Sequence, residues 1–298
     1  MICAFSAGLR LLSLFFADTF TVICFELSAF LLKANLYNVP MNLIRPILDH
    51  PLWVLLITFV ALAAAVSLGA ALRRIEFKRN PRSTTDASIV QNATLTLLAL
   101  MIGFTFSMSI NRYDQRKLYE EAEANAIGTE YLRADLLPTA AASEAKLQLK
   151  KYLQYRIAEY QALNPTEIQK LSVEVFRQQN LLWTTILPVV KAQQTPINAL
   201  VATGMNDVIN SASDTEAAWL NRIPPAAWTL LFIIAIFASI AVGFSATTFR
   251  ANRILFLSIP FVVSASFFLI ADIDGPRHGI IKVLPVNLLS LDLQLNKP

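Results

Sequence analysis

Carboxylates gathered in one stretch are the first residues to weigh for chemistry, because several of them on one helix can hold a cation. Glu120, Glu121, Glu123 and Glu130 are such a group. Their spacing wraps around a helix, and no Asp-x-Asp-x-Asp-Gly loop accompanies them, so they read as a solvated helix face. Asp272 and Asp274 stand at the end of an apolar run, just before Gly275-Pro276-Arg277. Acids at a membrane edge either mark an ion path or cap a turn of the kind Gly-Pro dictates. Lys150, Lys151, Tyr152, Tyr155, Arg156 and Tyr160 mix bases with aromatics. Single-stranded nucleic acid uses such mixtures, but here they fit an amphipathic helix packed on its neighbour, and no nucleic-acid partner is expected. There are two histidines, His50 and His278, and no HExxH, Walker loop, paired-glycine turn or Ser-His pairing. The sequence thus predicts no catalytic residue, metal site or cofactor, and not an enzyme. Cys3 and Cys24 both precede Met41, which leaves the remainder without a disulfide, zinc site or thiol nucleophile.

A different pattern is uncharged. Ala99, Gly103, Ser107 and Asn111 recur every four residues and share one helical face; Asn92 and Thr96 extend its polar character. Such a stripe serves either as a small-xxx-small contact that lets two helices approach or as a pore wall that lipid never touches. Phe104 and Phe106 beside it would narrow a pore by hydrophobic gating, or face lipid or a neighbouring helix.

The elements that must position these residues follow from composition. A chain that is 55% hydrophobic and 15% charged is too apolar for an ordinary soluble domain. Uncharged apolar runs fill Leu52–Leu72, Ala87–Asn111, Ala226–Phe249 and Ile254–Ala271. Each is long enough for a transmembrane helix, which takes roughly 17–25 residues. A fifth run, Leu11–Leu32, carries Asp18 and Glu26, each costing about 2.5–3.5 kcal/mol at a helix centre. It is either an extra helix with both acids turned from lipid or part of an extension preceding a start at Met41. Met1–Ser6 has no basic residue, unlike a signal peptide.

Five bases, Arg73, Arg74, Lys78, Arg79 and Arg82, lie in one short loop, and Arg250 and Arg253 in another. Positive loops stay in the cytoplasm, which would put Arg112–Arg222 outside it; Arg112, Arg116 and Lys117 pull the other way. That long segment reads as helices. Asn111, Gln115, Leu118, Ala122, Asn125, Thr129, Leu132 and Leu136 follow a 4-3 spacing, the period of a coiled-coil-like seam. No proline interrupts Ala87–Leu137, so the second apolar helix should leave the membrane as a stalk. Helices over Glu144–Leu163, Thr166–Leu187 and Pro196–Ser211 follow, the last with Thr195 as N-cap. Only Ile280–Val283 alternates as a strand would.

Two stretches resemble an uncharacterised bacterial membrane family called bestrophin-like. One runs Gly103-Phe-Thr-Phe-Ser-Met-Ser-Ile-Asn-Arg-Tyr-Asp-Gln-Arg116 and continues from Glu121 to Pro138; the other is Asp272-Ile-Asp-Gly-Pro-Arg-His-Gly279 with the following Ile-Ile-Lys-Val. The likeness spans Leu52–Leu291. More distantly it reaches the bestrophins, pentameric anion channels whose second helix lines the pore through an apolar neck; that neck would fall at Ile102–Phe106. The resemblance implies a homo-oligomer in the bilayer passing chloride or another small anion. It also implies a cytoplasmic helical region, opposite to the charge argument. No acidic calcium clamp is recognisable.

The expectation is an all-α polytopic membrane protein of the inner (plasma) membrane, with four core transmembrane helices and a helical extramembrane domain between the second and third. Residues 1–40 form an extension, 41–111 helices one and two with a basic loop at 73–86, and 112–222 the extracytoplasmic helical domain. Residues 223–272 form helices three and four, and 273–298 a tail. A non-conducting scaffold or sensor, binding a partner through the helical domain, is the alternative function. Intact-mass analysis of natively expressed protein should find a chain beginning at Met41; a mass that includes Met1 would assign Leu11–Leu32 to the extra helix.

Overall fold

A computed structural model describes residues 50–77, 84–246, 253–277 and 279–297. The expectations for Leu11–Leu32, Met41 and both cysteines lie outside the described residues, as do His278 and most of the two basic loops. Eight α-helices occupy the described residues: α1 Pro51–Phe77, α2 Thr84–Arg133, α3 Thr139–Gln161, α4 Pro165–Ala192, α5 Pro196–Leu220, α6 Pro225–Ser245, α7 Arg253–Asp274 and α8 Val286–Leu295. A 3-10 turn, Ala134–Leu136, ends the stalk before Pro138. No strand occurs among the described residues, and the protein is an all-α polytopic membrane protein. Its four long apolar helices lie in α1, α2, α6 and α7.

The local rules account for most boundaries. Asn164 caps α4 by accepting from the Thr166 amide (3.1 Å), and Thr195 caps α5 through the Asn198 amide (3.2 Å). Three helices outrun their sequence limits. α3 starts at Thr139, directly after Pro138, because nothing in Thr139–Ser143 opposes helix. α4 continues through Pro188 to Ala192, and α5 runs on to Leu220. Ile280–Val283 forms no strand, and α8 beyond it was unforeseen. Too short for a periodicity argument, α8 is held by its ends. Glu120 accepts from the Asn287 and Leu288 amides (2.8 and 2.9 Å), and Lys150 donates to the Leu295 carbonyl (2.6 Å). The anion thus sits at the helix's positive end and the cation at its negative end.

The apolar helices share one core: Val54 and Leu62 of α1, Leu98 of α2, Leu231 and Ala235 of α6, Phe267 and Ile270 of α7. The closest approach is between α1 and α6. A Cβ built on Gly69 would fall on the Ile240 carbonyl oxygen, and one on Gly243 onto that of Val66. Ala235, Ser239 and Gly243, all buried at four-residue spacing, make this the small-xxx-small face of the molecule. The second core joins Ile127 of α2, Leu149 and Leu153 of α3, Leu182 of α4, Val201 and Val208 of α5 and Leu288 of α8. Charges are buried beside it. Arg156 pairs with Glu123 and Glu159, and Glu123 also accepts from Thr215 (3.1 Å). Burial opposes the Arg156 charge, but the Glu123 carboxylate outweighs it and holds the guanidinium above its ordinary range.

Gly243→Ala should therefore destabilise the fold by about 2–3 kcal/mol through overpacking against backbone, read as lowered thermal stability in detergent. Gly103→Ala, where a Cβ meets nothing within 4 Å, should leave subunit stability unchanged or raised by up to about 1 kcal/mol.

Candidate functional site

The candidate site is the length of α2, and the two sides of this helix differ sharply. Asn92, Thr96, Ala99, Gly103, Ser107 and Asn111 are all exposed in the subunit. Among the described residues the stripe therefore makes no close helix contact; that role belongs to Gly69 and Gly243. Phe104 projects outward at 62% exposure, whereas Phe106 is half-buried against the apolar core. On the inner side Leu98, Thr105 and Ser109 are buried. The two hydroxyls donate to their own helix, Thr105 to the Met101 carbonyl (2.7 Å) and Ser109 to that of Thr105 (3.1 Å), so that face asks nothing of its neighbours.

Beyond Asn111 the outer line continues. Gln115, Leu118, Ala122, Asn125, Thr129, Leu132 and Leu136, the 4-3 seam read from sequence, are exposed throughout, Leu118 at 62% and Leu132 at 69%. The buried face carries the same period on other residues: Arg116, Glu120, Glu123, Ile127, Glu130 and Ala134. This corrects the reading of the glutamates as a solvated face. Only Glu121 is exposed; Glu120, Glu123 and Glu130 are buried because each is presented to α3, α5 or α8 by that second 4-3 register. The Tyr-rich stretch does pack inward, with Tyr152 and Arg156 fully buried and Tyr160 nearly so.

Where the apolar part of α2 ends, a charged joint ties it to two other helices. Arg116 is 1% exposed. It donates to the carbonyls of Ala218 (3.2 Å) and Asn221 (3.2 Å) at the end of α5, and of Ile273 (3.3 Å) and Asp274 (3.0 Å) at the end of α7. Two helix C-termini, each a partial negative charge, thus converge on one guanidinium. The Asp274 carboxylate accepts from the Ile223 amide (3.2 Å) and lies 3.6 Å from Arg112 and 3.7 Å from Arg222. Asp272 caps the turn after α7, accepting from the amides of Ile280 (2.8 Å) and Ile281 (2.9 Å). Gly279, at φ +129°, is required there, since a Cβ would strike the Asp272 carboxylate. Both acids are engaged in this joint. Sequence reasoning missed Arg116 as its centre; the available signal was its place four residues before Glu120 in the second register.

No group of three His, Cys, Asp or Glu residues suited to a metal occurs among the described residues. What the arrangement offers is a long helix fixed firmly from behind, with an uncharged polar and small-residue line in front that none of the described residues covers.

A family model described as Bestrophin-like domain matches residues 58–288. Among solved structures, the chain is similar to a bacterial Bestrophin homolog from Klebsiella pneumoniae, with a TM-score of 0.59 and 13% identity over 82% of this chain and 96% of that one. A point variant of the same protein gives 0.61 and 13%, covering 83% and 99%. At such identity the likeness is one of fold. No curated protein matches the chain by sequence.

Arg116→Gln should lower the free energy of unfolding by about 3–5 kcal/mol, because it strips a buried charge from four carbonyls and Asp274. Arg112→Gln, at a looser and partly exposed pair, should cost no more than about 1 kcal/mol. Chemical unfolding of the two variants in the same detergent checks the contrast.

Proposed function

The chain belongs to the bestrophin-like family, and from that premise we propose that it forms a homo-oligomeric ion channel, anion-conducting, with α2 lining the pore. The observation that carries this reading is the exposed stripe Asn92, Thr96, Ala99, Gly103, Ser107 and Asn111 at membrane depth. Polar side chains there avoid lipid and face a bundle interior or water. Among the described residues the opposite face of α2 is the packed one, and in this reading the stripe faces other copies of the chain and the water between them. Its amide and hydroxyl groups supply donors for chloride or another small anion, and the membrane part of the stripe bears no carboxylate. Phe104, exposed beside the stripe, stands at the expected apolar neck, while Phe106 backs it from the subunit's own core. The exposed stalk line through Leu118, Ala122, Thr129 and Leu132 gathers subunits around the same axis.

The domain plan accompanies this reading: 41–111 and 223–272 in the inner membrane, 112–222 outside it, and the 273–298 tail returning along the stalk. Orientation rests on the bases of the short loops. Arg112 and Arg116 count less against it, being engaged with Asp274 and with helix-end carbonyls. A non-conducting scaffold would use the same stalk line, since either function needs helices that associate.

Three measurements decide. In planar bilayers, purified oligomer should carry current; a well-folded oligomer silent across voltage, calcium and pH favours the scaffold. With Ser107→Cys, a small charged thiol reagent should alter that current without dissociating the oligomer. Currents untouched by reagent at positions 99, 103, 107 and 111 move the pore elsewhere. With Ser143→Cys in a Cys-free background, an impermeant maleimide should label intact cells; labelling only after lysis reverses the orientation.

A further inference from the structure

Near the far end of the stalk, the buried face of α2 presents Glu130. Its side chain is fully buried, and neither carboxylate oxygen has a hydrogen-bond partner. Arg133 approaches no closer than 3.9 Å and is itself partly exposed. Across the interface, the position against the carboxyl is Gly204 of α5, where a Cβ would fall on Glu130 Oε2. The neighbours of Gly204 on that face, Val201, Met205 and Val208, are fully buried and apolar. They offer no donor. The charged group acting on Glu130 from α5 is Asp207, of the same sign.

An ionised carboxylate needs several donors, and this seam offers only the Arg133 guanidinium, 3.9 Å away and outside hydrogen-bond reach, whereas the neutral acid carries a proton of its own to share. We propose that Glu130 and Gly204 form a proton-operated latch between α2 and α5. The neutral acid lets the helices close over Gly204, and loss of its proton drives them apart there. The latch stands whether or not α2 lines a pore.

Its direction follows from burial, which pushes the Glu130 carboxyl up to about 8, with Arg133 opposing the shift and Asp207 adding to it. Once the helices part and the carboxyl meets water, its ordinary value of 4.5 returns. The closed contact is thus strongest below about 4.5, weakens steadily as pH rises from there, and loses nothing further above about 8.

The test is backbone amide exchange of the full chain in lipid nanodiscs, wild type over Glu130→Gln at each pH, so that intrinsic exchange chemistry cancels. Glutamine keeps the shape and stays neutral. The ratio should be near one at about pH 4 and at least ~10-fold by about pH 9. The rise should be confined to 127–133 and 201–208, with α3 unchanged. A ratio independent of pH, or a rise shared by every helix, overturns the latch. If Glu130→Gln does not fold, the exposed Asp207→Asn serves instead. Removing the like charge should move the transition to lower pH, and an unmoved transition overturns the proposal.

Discussion

The guanidinium of Arg116 is the interaction on which the arrangement depends. It is the point where a helix leaving the bilayer must be joined to two others whose ends carry unsatisfied carbonyls. Each C-terminus normally leaves such groups to water or to a glycine cap. Here one planar cation with five donors satisfies the ends of α5 and α7 together. A lysine, with a single compact charge, has neither the reach nor the fork for this. Because the joint grips α2 from one side only, it also determines which face of the helix stays uncovered.

The helical domain is built against the usual sorting of side chains. Its interior holds Arg116, Glu120, Glu123, Glu130, Arg156 and Glu159, while Leu118, Leu132 and Leu136 stand outside. Each buried charge except Glu130 is met by hydrogen bonds: Glu123 by Arg156 and Thr215, Glu159 by Arg156 and Ser172, Glu120 by the start of α8. Such networks specify geometry tightly, since any displaced member leaves a charge stranded in low dielectric. An apolar outer line on such a stalk is the surface that the proposed oligomer would use.

This inversion explains what could be read from the sequence and what could not. The four apolar helices were legible because roughly twenty uncharged residues have few other uses, and the N-cap at Thr195 because its chemistry is local. The stalk was legible as an unbroken helix with a 4-3 period. Its inward face was not, since two registers share that period and hydrophobicity chose Leu118 and Leu132 over Glu120 and Glu123. Burial of those acids depends on Arg156, Thr215 and Asn287, all distant in sequence. Gly69 and Gly243 were overlooked for a related reason: a small residue announces a close contact only once its partner is known, and Ala99-Gly103-Ser107 carried the same signal in the open. α3 begins earlier, and α4 and α5 run later, than their apolar periodicity because helix propensity alone extends them, and not even Pro188 stops α4.

The clamp on α8 sets an order of assembly. The amides that satisfy Glu120 belong to residues made 167 and 168 positions later in the chain. Until the ribosome has delivered them, the stalk exists with an open, hydrated carboxylate where its interior will be, and with the Leu288 site unfilled. A chain interrupted anywhere before Val286 therefore leaves Glu120 without the amides that hold it and the core beside the stalk without Leu288.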